Sequence, residues 1–253
     1  MYHISKDTLW KGIIEDLFDD FLHYFFPDWA SQSVDFTKGF EFLDKELDEL
    51  YPKPKGGQKR YADKLVKVFT REGQEQWLLI HIEVQGYADP NFTERMFDYF
   101  LRIRERWNQK IMALAILTDE KIDYHPKRYE YTYQDTRLQY EFATFKVLEK
   151  SEEALNIPEN PFSIVMLTAK KALEKSNRED QAQLIWKTDL VKKLKEANYA
   201  TDKIRKILNF IRYYVNFKKE DSLTKLNQSI QTTFKQRNCG YRRSYFKRSR
   251  RKK

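Results

Sequence analysis

The stretch KRYADKLVKVFTREGQEQWLLIHIEVQ, Lys59 to Gln85, decides the fold. It reads as two strands, Ala62 to Phe69 and Trp77 to Val84, rich in β-branched, aromatic and aliphatic residues and folded about Gly73. The polar TREGQEQ between them supplies the turn. Side chains alternate across a strand, so Leu78, Ile80, Ile82 and Val84 share one wholly apolar face that should be buried. The other face carries Leu79, His81, Glu83 and Gln85, and the partner strand presents Asp63, Leu65, Lys67 and Phe69. Pairing centred near Gly73 sets Asp63 opposite Glu83. Cross-strand neighbours sit about 4.5–5.5 Å apart, close enough for two carboxylates to share a cation.

Unpaired buried charge is costly, so such acids shift their pKa, find a partner or bind metal. The same residues also suit an edge hairpin with one wet face, on which Asp63 and Glu83 pair with Lys64, Lys67 or Arg60. The spacing D-x19-E-x-Q does not by itself separate the two readings.

Composition narrows the class. A chain of 253 residues suits one domain with an appendage or two small domains, and a hydrophobic content of 41% supports a real core. No run of about 18 apolar residues is present, so no membrane span is expected. The start, MYHISKDTLWKG, lacks the hydrophobic region of a signal peptide. A single cysteine, Cys239, excludes an internal disulfide framework and a cysteine-rich zinc site. A cytoplasmic protein is the resulting expectation. The net charge of +9 is concentrated at the end: Lys235 to Lys253 holds ten Lys or Arg and no acid, which leaves residues 1–234 at −1. That tail should attract polyanions without reading sequence.

Working outward, Ile4 to Phe26 has helical spacing, with Ser5 as cap and Pro27 as its end. Most acids on that helix should be solvated; Glu15 is the one placed to turn toward a neighbouring sheet. A short strand is expected at Val34–Phe36 or Phe40–Phe42, then a brief acidic helix in LDKELDELYP stopped by Pro52. The loop KPKGGQKR, with Lys59 and Arg60, reads as a flexible connector or a phosphate-binding loop, without the GK[ST] of a P-loop. After the turn GYADPN, Phe92 to Trp107 is a strong amphipathic helix with Met96, Phe100, Ile103 and Trp107 as its apolar stripe. Arg95, Tyr99, Arg102 and Arg106 line the adjacent face, to meet phosphates or to pair with Glu94, Asp98 and Glu105. Lys110 to Thr118 reads as a strand covered on both faces, and Tyr140 to Leu148 as another. HPKRYEYTYQDTRLQ between them reads as a polar, aromatic loop. Four helices are expected over Phe162–Lys175, Arg178–Ala197, Asp202–Val215 and Leu223–Gln236. The pattern describes an α/β core with a mixed sheet and a C-terminal helical region.

The blocks YADKLVKV, HIEVQGYADPNFTERMFDYFLRI and ALAILTDE, with FEFLDKELDELYP upstream, resemble the Rpn recombination-promoting nucleases, also described as PD-(D/E)XK nuclease family transposases. The resemblance covers roughly residues 5–150 and extends loosely into the helices beyond. It implies a restriction-endonuclease-like fold with a nuclease-like domain over 1–150; the pattern beyond gives a helical annex over 158–235 and a basic, disordered tail over 236–253, where the chain departs from the family. It also implies a metal-dependent DNA endonuclease of low sequence specificity, acting in recombination or transposition. Carried over by position, Asp63 and Glu83 would hold Mg2+ (or Mn2+) with the carbonyl of Val84, and Gln85 stands where the wider pattern has Lys. Glu15 matches an extra acid, and Arg95 would neutralise charge on phosphoryl oxygens. Arg102, Arg106, Lys59 and Arg60 are the candidate DNA contacts, and a homo-oligomer is compatible with this reading. An amide at 85 can orient a water but carries no charge, so Gln85→Lys is expected to keep or raise activity. The other class of reading is a catalytically silent DNA-binding or protein-interaction module on the same fold.

Overall fold

The computed structural model describes residues 4–50, 63–71 and 77–245, with side chains to residue 234. At its centre is a five-stranded mixed sheet. Across the sheet its strands are, in order, β1 (Phe40–Phe42), β2 (Asp63–Phe69), β3 (Trp77–Gln85), β4 (Ile111–Leu117) and β7 (Ala143–Lys146). β1, β2 and β3 are antiparallel neighbours, whereas β4 pairs parallel with both β3 and β7. The hairpin register is the one centred on Gly73, with Asp63 opposite Glu83 and Phe69 opposite Trp77. The turn at Gly73 lies outside the described residues, as does the loop KPKGGQKR.

One face of the sheet presents Val66, Val68, Ile80, Ile82, Val84, Leu114 and Ile116 to the main core. Helices α1 (Lys6–Asp16), α2 (Phe18–Phe25) and α7 (Phe162–Leu173) cover it. Ser5 caps α1 by accepting from the Thr8 amide at 3.0 Å. The single helix expected to Phe26 breaks at Leu17, whose backbone leaves helical geometry at φ −127° and ψ 34°. Pro27 ends α2 but opens α3 (Pro27–Ser33), since a first-turn residue needs no backbone N–H. The one-turn helix α6 (Glu152–Leu155) is tied to α2, because the Leu155 carbonyl accepts from the Tyr24 hydroxyl at 3.0 Å. The helices α8 (Asp180–Glu196) and α9 (Thr201–Tyr213) contribute Trp186, Leu190, Ile207 and Phe210 to the same core. Trp10 of α1 donates to the Tyr214 hydroxyl at 3.3 Å. The expected boundary near residue 150 is therefore not a break in the core.

On the opposite face lie α4 (Asp44–Leu50) and α5 (Phe92–Trp107), with Leu47, Leu65, Leu79, Tyr99 and Ile103 packed between. The buried residues of α5 are Phe92, Arg95, Met96, Tyr99 and Ile103, so the stripe is rotated from the one read in sequence. Phe97 and Phe100 instead meet a second sheet. That sheet is a hairpin of β5 (Arg128–Tyr133) and β6 (Thr136–Glu141), where the sequence suggested a loop. Tyr129 stacks on Phe97 at 4.8 Å, and Tyr140 lies 4.8 Å from Phe100. Its polar composition hid a period of two, and Gln134 in the left-handed region (φ 48°) turns the chain. The strand expected over Tyr140–Leu148 accordingly divides at Phe142 between the two sheets.

The backbone of α10 runs Glu220–Tyr245, so residues 236–245 are helical where disorder was expected. Helix propagation adds one bond per residue fixed, and basic side chains are good helix formers. Among the described residues no helix is long and apolar enough to cross a membrane.

Candidate active site

The backbone places the two acids at closest approach. The Leu79 amide donates to the Lys110 carbonyl, and the Gln85 carbonyl accepts from the Thr118 amide. Odd-numbered residues of β3 thus turn their backbone groups toward β4, and even-numbered ones toward β2. Asp63 and Glu83 are therefore a non-hydrogen-bonded pair, the kind whose side chains lie nearest each other. By the same alternation the Val84 carbonyl faces the β2 side, beside Asp63.

β2 is an interior strand and this face is dry: Asp63 is 4%, His81 1%, and Glu83 and Gln85 0% exposed. The wet-edge reading fails, and neither Lys64 nor Lys67 pairs with the acids. Lys67 bonds Glu41, and Lys64 bonds Asp44 at 2.5 Å and Glu15 at 3.2 Å. Glu15, with a side chain 55% exposed, pairs with Lys64.

Helix α5 supplies the partners. Residues 95 and 99 lie one turn apart and both face the sheet. The Tyr99 hydroxyl donates to Asp63 Oδ2 at 2.9 Å. The Arg95 guanidinium donates to Glu83 Oε1 at 2.8 Å and Gln85 Oε1 at 3.0 Å, and also to Asp89. Arg95 thus ties Glu83, Gln85 and Asp89 together, and its Nε has no hydrogen-bond partner among the described residues. The arginine row ends elsewhere: Arg102 donates to the Leu50 carbonyl and Arg106 pairs with Glu49 at 3.7 Å. Both clamp α4 to α5, because the helix rotation carries them away from the acids. Lys59 and Arg60 lie outside the described residues.

Two buried carboxylates cannot both ionise freely side by side. Burial, and then the Asp63 charge, push the Glu83 carboxyl well above the usual range despite the Arg95 guanidinium. Burial also pushes Asp63 up, but its hydrogen bond with Glu83, the His81 ring and the Tyr99 hydroxyl outweigh that and hold it below its ordinary value. As pH rises, Asp63 therefore gives up its proton before Glu83 does. Burial, opposed in part by Asp63, lowers the His81 pKa to about 4, so its ring is neutral.

The sign of the pH dependence follows. A raised carboxyl makes the folded state bind the proton more tightly. Its contribution is complete below 4.5, the ordinary glutamate value, and is lost as pH rises through the raised one. Thermal unfolding in chelator should therefore show the wild type losing stability relative to Glu83→Gln as pH rises. A difference in Tm that stays flat with pH would contradict the assignment.

Beyond the hydrogen bond between the two carboxyls, Asp63 Oδ1 and Glu83 Oε2 have no partner among the described residues. With Glu83 deprotonated, these two hard oxygens beside a strand carbonyl fit a divalent cation such as Mg2+ or Mn2+. Among the described residues no three His, Cys, Asp or Glu side chains converge on one point in this arrangement.

Gln85 departs most from expectation. Its Oε1 accepts from Arg95, and its Nε2 donates to the Tyr87 carbonyl at 2.8 Å. A lysine there would face a guanidinium and leave Arg95 short of an acceptor. Gln85→Lys is now expected to cost about 1–3 kcal/mol, the scale of a broken buried bond, and to lower any activity. Urea denaturation measures the first, and an unchanged midpoint would show that the site repacks freely.

The sequence placed His81 on the Glu83 face and Tyr99 in the row with Arg95 without giving either a site role, and Asp89 was not named. Strand alternation from Glu83 marks His81, and helical spacing from Arg95 marks Tyr99; nothing local marks Asp89. Comparison of the chain with protein-family models, curated proteins and solved structures returns no match.

Proposed function

We propose that the chain is a metal-dependent DNA endonuclease hydrolysing phosphodiester bonds with low sequence specificity. The observation that carries this is the buried cross-strand pair of Asp63 and Glu83, each with an oxygen left without a partner outside the pair. The sequence resemblance to the Rpn nucleases supports DNA as substrate, and recombination or transposition as the setting.

A divalent ion taken by Asp63, Glu83 and the Val84 carbonyl would polarise the scissile phosphate and lower the pKa of the attacking water. The residues themselves do the rest. Glu83 must give up its proton before it can serve, so binding competes with protonation and improves as pH rises. Arg95 holds Glu83 and Gln85 in one orientation, and Asp89 holds Arg95. Tyr99 fixes Asp63 Oδ2 and leaves Oδ1 for the cation.

One observation favours the silent-module reading: Gln85 is occupied by Arg95 and Tyr87 where a water-orienting lysine would stand. Nicking of supercoiled plasmid separates the two. Scission that requires Mg2+ or Mn2+ and stops in chelator supports the enzyme; DNA binding without scission under either ion supports the module.

A further inference from the structure

We infer that β6 is a dimer edge: a second copy of the chain pairs antiparallel with it about Gln139, joining two hairpins into one four-stranded sheet. The inference is independent of the proposed reaction, since association can be measured without metal or DNA.

The hairpin of β5 and β6 is a sheet of only two strands, an arrangement that is marginal in water without further support. Its face toward α5 carries Tyr129, Tyr131, Tyr133, Leu138 and Tyr140, which alternation and register place together. Phe97 and Phe100 cover Tyr129 and Tyr140. The rest of that face is open: Tyr131 is 47%, Tyr133 64% and Leu138 38% exposed. Three of the seven large apolar side chains exposed among the described residues are thus gathered on this one hairpin.

The backbone fixes which groups of β6 are free to pair. The Phe142 amide donates to the Lys127 carbonyl at 3.2 Å, so residues 142, 140, 138 and 136 turn their backbone groups toward β5. Arg137, Gln139 and Glu141 turn theirs away, to an edge with no strand beside it among the described residues. An open edge is a template for another strand, and charges on it ordinarily keep other strands off. These charges complement their own copy. Under two-fold symmetry every contact occurs twice, with the roles of the copies exchanged. Centred on Gln139, the pairing sets Arg137 opposite Glu141 of the second copy at both ends, and Leu138 opposite Tyr140 of the second copy. Unlike charges then meet on one face of the new sheet and apolar side chains on the other. Centring on Arg137 or Glu141 sets like charges face to face, and centring on Leu138 or Tyr140 leaves Arg137 with no acid opposite. Charge complementarity therefore selects one register. Six residues a side make a small interface, so the dimer should be weak and its population should depend on concentration.

Sedimentation equilibrium of the full chain over a range of concentrations tests this. The expected result is a reversible monomer–dimer equilibrium. Arg137→Glu and Glu141→Arg, both at exposed positions, should each weaken self-association by about tenfold or more, because both ends of the strand pair then carry like charges. Mixed in equal amounts, the two variants should associate with each other as well as the wild type does with itself, because every charge again meets its opposite. A wild type that stays monomeric at every concentration overturns the inference. So does a dimer indifferent to both substitutions, or a mixture of the two variants that stays monomeric.

Discussion

Asp63→Asn and Glu83→Gln should each reduce plasmid cleavage by on the order of a thousandfold or more, a loss of about 4 kcal/mol of transition-state stabilisation. Both substitutions keep volume and shape, so the core is undisturbed. The amide oxygen that Asp63→Asn leaves in place of Oδ2 still accepts from the Tyr99 hydroxyl, and the one that Glu83→Gln leaves in place of Oε1 still accepts from Arg95. What each removes is one anionic oxygen from a pair that shares a cation. Stability should hold or rise in chelator, because the like-charge repulsion in a buried site is relieved. The combination distinguishes a functional pair from a structural one. Retained activity with either variant would move the active site elsewhere. Lost activity with lost stability would mean that the pair supports the fold.

Arg95→Met should instead destabilise the protein by about 3–5 kcal/mol, the cost of removing one partner from a buried ion pair. Arg95 is nearly buried and serves Glu83, Gln85 and Asp89 together, so its loss strands several acceptors at once. Methionine keeps the stem packed over Phe92, whose ring centre lies 5.1 Å from the guanidinium carbon. Arg95→Lys should recover part of the loss, since an ammonium matches a single acceptor but not the planar fork. Adding Glu83→Gln to Arg95→Met should also recover part, because the stranded charge is gone. Urea unfolding of the wild type, the two Arg95 variants, Glu83→Gln and the double variant measures each difference. Full additivity would show that Arg95 and Glu83 do not act on one another.

These two effects come from different layers of information. The alternation of apolar residues in β3 and the polar turn about Gly73 were enough to pair Asp63 with Glu83, because a strand has only two faces and a hairpin one centre. The same pattern named β4 as a doubly covered strand, and Ser5 as a cap. Local periodicity cannot say which helix covers which face. α1 packs on the side of Val66 and Val68, which brings Glu15 to Lys64. The rotation of α5 puts Arg95 and Tyr99 over the acid pair and turns Arg102 and Arg106 toward α4. The β5–β6 hairpin, which packs on Phe97 and Phe100, went unseen because polar residues masked its alternation. Sequence alone determined that two carboxylates face each other across β2 and β3, since register is a local property of paired strands. Tertiary packing decided that they are buried, that Arg95, Tyr99 and His81 are their company and that Gln85 serves Arg95, because those contacts join elements whose relative rotation no local pattern encodes.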